Sequence, residues 1–146
     1  MAQDNKPAPH PPDLLRRPPI LAGRFRVSVR SVFAREESNP PWSYVFVYFI
    51  RIENLGDTDA QLFWRHWKIH DPVAGDHEVE GEGVVGESPV IPPRGSHSYS
   101  SYCVLRGAYG HMEGYYHFRE TDGKLFRAVI PRFELVAEDA SQPIQA

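Results

Sequence analysis

Apolar and polar side chains alternate with a period of two along most of the chain between residues 24 and 136. This alternation is typical of antiparallel β-strands that bury one face and expose the other. No segment has the apolar spacing of an amphipathic helix, and the 14 prolines and 11 glycines argue against a helical bundle. The sequence therefore predicts an all-β fold.

Several segments carry the strand pattern, at the spacing of hairpins. They are 25–30, 44–54, 61–70, 77–80, 96–105, 112–121 and 124–135. The first half of 44–54 is apolar on both faces, which predicts a central strand, and Trp67 is expected in the core. Asp122-Gly123 predicts a hairpin turn, and Pro131 predicts an edge or a bulge. About seven such strands favour two antiparallel sheets packed as a β-sandwich, with a closed small barrel as the alternative.

The chain divides into a leader, a body and a tail. Residues 1–22 contain six of the 14 prolines, and proline removes backbone donors and fixes φ. We expect a disordered leader without ladder or helix, whose role as a docking peptide stays open. Residues 23–137 are predicted to form one β-domain, and residues 138–146 a flexible tail.

The charge of the chain disfavours two classes of partner. A net charge of −3 and a pI near 6.1 give no field that attracts a polyanion, so neither nucleic acid nor an anionic membrane is expected as a partner. No apolar run approaches the about 20 residues of a membrane span, and the N-terminus lacks the apolar stretch of a signal peptide. One cysteine, Cys103, suits a reducing compartment. A cytoplasmic location is predicted.

A glycine-rich segment matches the pattern G-x-G-x-x-G at Gly81, Gly83 and Gly86. In nucleotide-binding folds such glycines precede a helix whose amides face a phosphate. Here Glu87-Ser88-Pro89 follows and does not continue a helix, and the carboxylate of Glu87 would repel an anion. A loop that needs glycine for backbone reasons is favoured, and a site for a phosphate-containing small molecule is the alternative.

Arg65 and His66 are candidates for a ligand or partner patch, together with Glu87 beside the glycine loop. The competing interpretation is that both side chains only orient neighbouring loops. His66 and His70 share a strand face about 13 Å apart, so they cannot chelate one ion. We therefore predict no metal site and no cofactor. Cys103 is expected to be a buried apolar side chain, and no nucleophile motif indicates an enzyme.

Several ordered segments resemble the ApaG family. They are 44–54, 65–67, 81–90, 99–105, 112–116 and 130–133, so that the likeness covers about residues 24–136. The resemblance implies an immunoglobulin- or fibronectin type III-like sandwich without an established catalytic residue set. It also implies a link to cobalt resistance and magnesium efflux in bacteria, and use of the domain as an interaction module in an F-box protein and a DNA-polymerase-delta-interacting protein. Residues 101–110 depart from the usual family pattern.

Taken together, the sequence predicts a non-catalytic binding or accessory protein linked to divalent cation (Co²⁺/Mg²⁺) homeostasis through protein–protein interaction. Tyr102, Tyr109 and Tyr115 are the predicted interface aromatics, grouped near one end of the domain. A homodimer paired through an edge strand stays open. The alternative function is a nucleotide or pyrophosphate sensor that uses the Gly81–Gly86 loop.

Overall fold

The computed structural model describes residues 20–21 and 24–138, which form nine β-strands and one 3-10 turn at Arg35–Glu37. The strands are β1 (Ile20–Leu21), β2 (Phe25–Phe33), β3 (Tyr44–Asn54), β4 (Ala60–His70), β5 (His77–Glu82), β6 (Val90–Ile91), β7 (Ser96–Leu105), β8 (Tyr109–Arg119) and β9 (Leu125–Val136). Seven of them are long, and β1 and β6 have two residues each. The all-β prediction is confirmed.

The strands form two sheets packed face to face. The larger sheet has the order β1-β9-β8-β4-β5, with β6 paired to β4, and the smaller sheet has the order β2-β3-β7. All pairs are antiparallel except β1 with β9. The predicted β-sandwich is therefore confirmed, and β3 is the central strand of its sheet as the sequence indicated.

The core lies between the sheets and is centred on Trp67. Its fully buried indole meets the rings of Tyr48, Phe133 and Tyr116 at centroid distances of 5.5, 6.0 and 6.3 Å. Burying side chains of this size is worth about 1.5–3 kcal/mol each. Cys103 is also buried. Both residues have the positions that the sequence predicts.

Two bulges interrupt the larger sheet. The β8–β9 register jumps from Met112–Phe133 to Gly114–Ile130, which confirms a bulge at Pro131. A second irregularity lies between Leu62 and Trp64 in β4. An uninterrupted period of two along β4 would put Phe63 on the same face as Trp67. The bulge instead places Phe63 on the outer face, with 6.1 Å between its ring centroid and that of His117.

The structure corrects the leader prediction at one point. Ile20–Leu21 pair in parallel with Phe126 and Arg127 of β9, because both residues keep their amides and lie beside an open sheet edge. The other predicted leader residues, 1–19 and 22, and tail residues 139–146 lie outside the described residues. Within the described part of the chain, no helix has the length and apolarity needed to cross a membrane.

Candidate functional site

Arg65 lies on the inner face of β4, directly opposite Gly81 of β5. Its buried guanidinium donates from Nη1 to the carbonyl oxygens of Glu82 at 2.8 Å and Gly83 at 3.3 Å. A Cβ on Gly81 would lie 2.6 Å from Nη2 of Arg65. The absence of a side chain at Gly81 therefore makes room for the guanidinium, which holds the end of β5 and the start of the glycine loop.

The glycine loop closes on itself through its own backbone. Val84 and Glu87 exchange two hydrogen bonds of 2.8 and 2.9 Å around Val85 and Gly86, whose φ angles are +49° and +78°. These angles are those of a type I′ turn. Gly83 has φ +57°, and a Cβ there would lie 2.0 Å from the carbonyl oxygen of Glu87. The spacing of the glycines thus follows from the turn.

The loop offers little to a phosphate group. The amide of Gly83 donates to the carbonyl of Phe63 at 3.1 Å, and the amides of Val84 and Glu87 bond each other's carbonyl oxygens. A phosphate cradle needs several free amides that converge on the anion. The carboxylate of Glu87 adds a negative charge to the same loop. The geometry gives the nucleotide alternative no support.

His66 lies on the opposite side of the sheet from Arg65, because consecutive residues of a strand point to opposite faces. Its Nε2 lies 2.8 Å from Oε1 of Glu78, its Nδ1 3.6 Å from Oε2 of Glu80, and its ring stacks on Tyr115 at 4.7 Å. The hydrogen bond to His66 lowers the pKa of Glu78. A single patch of Arg65, His66 and Glu87 therefore does not form, and the sequence prediction is corrected.

Other histidines share the outer face of the larger sheet with His66. His70 stacks on His111 at 4.6 Å, and its Nδ1 lies 2.5 Å from Oδ1 of Asp76. Burial, with the nearby charge of Arg127, lowers the pKa of His117 from 6.5 to about 4. Among the described residues, no group of three or more His, Cys, Asp or Glu side chains is placed to hold a metal ion.

The three predicted interface tyrosines are not brought together. Tyr102 of β7 lies on the outer face of the smaller sheet, in register with Val47. Tyr115 lies on the outer face of the larger sheet, against His66, and Tyr109 is exposed at the start of β8. Tyr102 and Tyr115 therefore lie on opposite outer faces of the sandwich. The prediction that the three tyrosines are grouped near one end is corrected.

A different apolar surface lies on the outer face of the smaller sheet. Val32, Val47 and Tyr102 form one row across its three strands. Phe49 and Val104 lie in the neighbouring rows on either side, opposite Ser100 and Val45. Val32, Phe49 and Val104 are 41%, 39% and 45% exposed. We call these five residues the apolar patch. The sequence signal for this patch is the second apolar face of β3, although that pattern by itself predicts only a central strand.

The remainder of this outer face is basic. Arg26, Arg30 and Arg51 project from it together with a single acid, Glu53, which lies 3.5 Å from Arg26 and 3.7 Å from Arg51. The guanidinium of Arg30 lies over the ring of Phe49 at 4.5 Å. We call Arg26, Arg30 and Arg51 the basic end. The apolar patch and the basic end adjoin at this contact.

The two packed sheets and their exposed outer faces define an immunoglobulin- or fibronectin type III-like β-sandwich. The family model described as the ApaG domain matches residues 34–120. The chain belongs to the ApaG family, and the resemblance seen in the sequence is confirmed.

Individual relatives match most of the chain. It is 42% identical over 117 residues to Protein ApaG of Klebsiella pneumoniae (strain 342), covering 80% of this chain and 94% of that protein. It is 46% identical over 110 residues to Protein ApaG of Methylobacterium sp. (strain 4-46), covering 75% and 85%. A crystal structure of the putative ApaA protein from Bordetella pertussis is similar with a TM-score of 0.74 and 38% identity, covering 81% of this chain and 97% of that one.

Proposed function

We propose that this protein is a non-catalytic binding protein that acts through protein–protein contact and is linked to divalent cation (Co²⁺/Mg²⁺) homeostasis in the cytoplasm. The observation that carries the proposal is the apolar patch, in which Val32, Phe49 and Val104 are exposed beside Tyr102. Contiguous exposed apolar surface with an aromatic residue is typical of interaction sites.

The chemistry of the conspicuous polar groups supports a binding role over catalysis. Arg65 is buried against backbone carbonyls, and His66 is held by Glu78. Cys103 is 1% exposed and lies within the core. A nucleophile and its base must reach a substrate, and these side chains are engaged in holding the fold. The cation link is supported by the ApaG family resemblance.

The binding role is tested by a paired substitution in the patch, Val32→Lys with Val104→Lys. Both side chains are exposed, so the free energy of unfolding should change by less than about 1 kcal/mol. Affinity capture from cells should lose the partners of the unaltered chain. The matched control is Val129→Lys, an exposed valine of β9 on the larger sheet, which should keep them. Capture of the same partners by both variants would remove the patch from the proposal.

The cation link is tested in cells that lack the protein. We expect their growth in elevated Co²⁺ to differ from that of the parent, and the unaltered chain and Val129→Lys to restore it. The patch variant should fail to restore it at equal abundance. Restoration by the patch variant would separate the cation effect from the patch, and unchanged growth without the protein would overturn the link.

A further inference from the structure

Strand β7 is an edge strand with an uninterrupted backbone register. It pairs with β3 from Glu53–Ser96 to Tyr44–Leu105 without a shift, and no described strand pairs with its other side. The amide of Asn54 donates to Gly95 at 3.0 Å. Bonding alternates along an antiparallel ladder, so the even-numbered residues from Ser96 to Val104 direct their amides and carbonyls away from β3.

This edge lacks the devices that normally prevent strand addition. Proteins protect edges with charged residues, proline, bulges or short strands, but β7 is ten residues long and reads SHSYSSYCVL. The other edge of the same sheet is different. Strand β2 carries Arg26 and Arg30, and Ser31 bonds the carbonyl oxygen of Glu134 in β9 at 2.7 Å. Strand β7 is therefore the open template of the smaller sheet.

The side chains beside this edge have two chemical characters. Tyr102 and Val104 belong to the apolar patch, at the end of β7 that pairs with the start of β3. Ser98 lies in register with Arg51 of the basic end. A strand added along β7 would thus place alternate side chains beside an apolar surface at one end and beside arginines at the other.

We propose that an extended, acidic segment of a partner protein adds to β7 as a fourth strand of the smaller sheet. Its backbone pairs with the open edge, its apolar residues lie beside Tyr102 and Val104, and its carboxylates lie near Arg51. Main-chain pairing of this kind gives affinity, and the alternate side chains give specificity. The inference rests on the proposed function and names the chemistry of the partner.

Charge favours an acidic segment over a second copy of the chain. If the β7 strands of two copies paired about Ser100, the two smaller sheets would become one continuous sheet. The outer faces of the two copies would then lie side by side. Each copy carries the three arginines of the basic end and the single acid Glu53, so the joined face would accumulate positive charge. Like charges on one surface oppose association, whereas an acidic segment is attracted.

The test uses a labelled nonapeptide, Thr-Val-Thr-Val-Thr-Glu-Thr-Glu-Thr, blocked at both ends. In antiparallel pairing its valines lie beside Tyr102 and Val104, and its glutamates lie toward Arg51. Fluorescence anisotropy with the full chain should show binding at least about tenfold tighter than for the same peptide with lysine in place of glutamate. Added salt should reduce this difference. A peptide N-methylated at the amides of its valines and glutamates, which face β7, should not bind.

Two protein variants test the placement. Ser100→Pro removes an outward amide from the edge and should abolish binding. Arg51→Glu alters only an exposed side chain and should reverse the preference toward the lysine peptide, even where Ser100→Pro fails to fold. Val129→Lys should bind as the unaltered chain does. Equal binding of both peptides, no binding at millimolar peptide, or unchanged preference in Arg51→Glu would overturn the proposal.

Sedimentation velocity tests whether a second copy of the chain occupies the edge instead. A dimer of the unaltered chain that dissociates in Ser100→Pro would assign the edge to another copy and overturn the acidic segment. The outcome for the proposed function is separate. If the patch variant loses its captured partners and no peptide binds, the edge inference fails alone. If the peptide binds as expected and the patch variant keeps its partners, the proposed role of the patch fails alone.

Discussion

Oδ2 of Asp71 accepts a hydrogen bond from the backbone amide of Arg106 over 2.7 Å, which joins two loops 35 residues apart in the sequence. Oδ1 of the same carboxylate, 2% exposed, accepts the amides of Val73, Ala74 and Gly107 at 3.0, 3.2 and 3.2 Å. Burial alone would raise the pKa of Asp71, but these four amides outweigh it and lower the pKa. The carboxylate is thus a structural clasp between the β4–β5 and β7–β8 connections.

Replacing this carboxylate should destabilise the protein markedly. Asp71→Asn puts an amide group where an acceptor is needed, so we expect the free energy of unfolding in urea to fall by about 2–4 kcal/mol. Asp76→Asn, in the same loop with its side chain 76% exposed, is the control and should cost less than about 1 kcal/mol. Equal losses for the two variants would contradict the clasp.

The same clasp predicts a response to acid. Because the folded pKa of Asp71 is lowered, its contribution is present above the ordinary value of 3.8 and is lost as pH falls through the folded value. The destabilisation caused by Asp71→Asn, measured by denaturant unfolding, should therefore be largest near neutral pH and shrink below pH 3.8. A difference that stays constant to lower pH would assign the effect to packing.

The glycine loop predicts unequal effects of two similar substitutions. A Cβ at Gly83 would overlap the carbonyl oxygen of Glu87, whereas nothing lies within 4 Å of a Cβ at Gly86. Both have positive φ, which costs an ordinary residue about 1–2 kcal/mol. Gly83→Ala should therefore lower the free energy of unfolding by about 3 kcal/mol or more, and Gly86→Ala by about 1 kcal/mol. Equal losses in guanidinium unfolding would show that the loop relaxes around either methyl group.

The long strands of the fold could be predicted from the sequence because their alternation is uninterrupted. The predicted bounds of β3 and β7, 44–54 and 96–105, are those of the structure. Strand β6, with two residues, is too short to show a period. The bulge between Leu62 and Trp64 places Phe63 on the outer face. No glycine or proline in this segment indicates a bulge, so the sequence does not predict it.

The candidate site was harder to predict because it depends on which face of a sheet another layer covers. Val47 and Phe49 indicate an apolar face of β3. Whether the other sheet covers that face depends on how the two sheets pack, which the sequence of β3 does not show. Adjacency in the sequence suggests one patch for Arg65 and His66, although the period of two places them on opposite faces of the sheet. No sequence pattern indicates the role of Asp71, because its partners are backbone amides, which residue identity does not reveal.

Arg65 should matter for the loop rather than for a surface. Arg65→Met keeps the length of the side chain but leaves the carbonyls of Glu82 and Gly83 without its donors, so the free energy of unfolding should fall by about 2–3 kcal/mol. Hydrogen exchange of the amides of residues 83–87 should accelerate. The control is Arg94→Met, whose side chain is 72% exposed and lies 3.6 Å from Asp57. An unchanged exchange rate in Arg65→Met would remove the loop-holding role.

His117 should make the protein less stable in mild acid. Its folded pKa of about 4 lies below the ordinary 6.5 because of burial and the charge of Arg127. The unfolded chain therefore binds a proton between these values that the folded chain does not, and stability falls as pH drops from 6.5 to 4. The full difference is worth about 3 kcal/mol.

The measurement is the free energy of unfolding at pH 7 and at pH 4, compared with that of His117→Gln. The variant has no group to protonate at this position and should lose less stability on acidification, by up to about 3 kcal/mol. His77→Gln, at an exposed position of β5, is the control and should follow the unaltered chain. An NMR titration of His117 with a midpoint near 6.5 would contradict the mechanism, because a neutral and a charged imidazole would then be equally tolerated beneath Arg127.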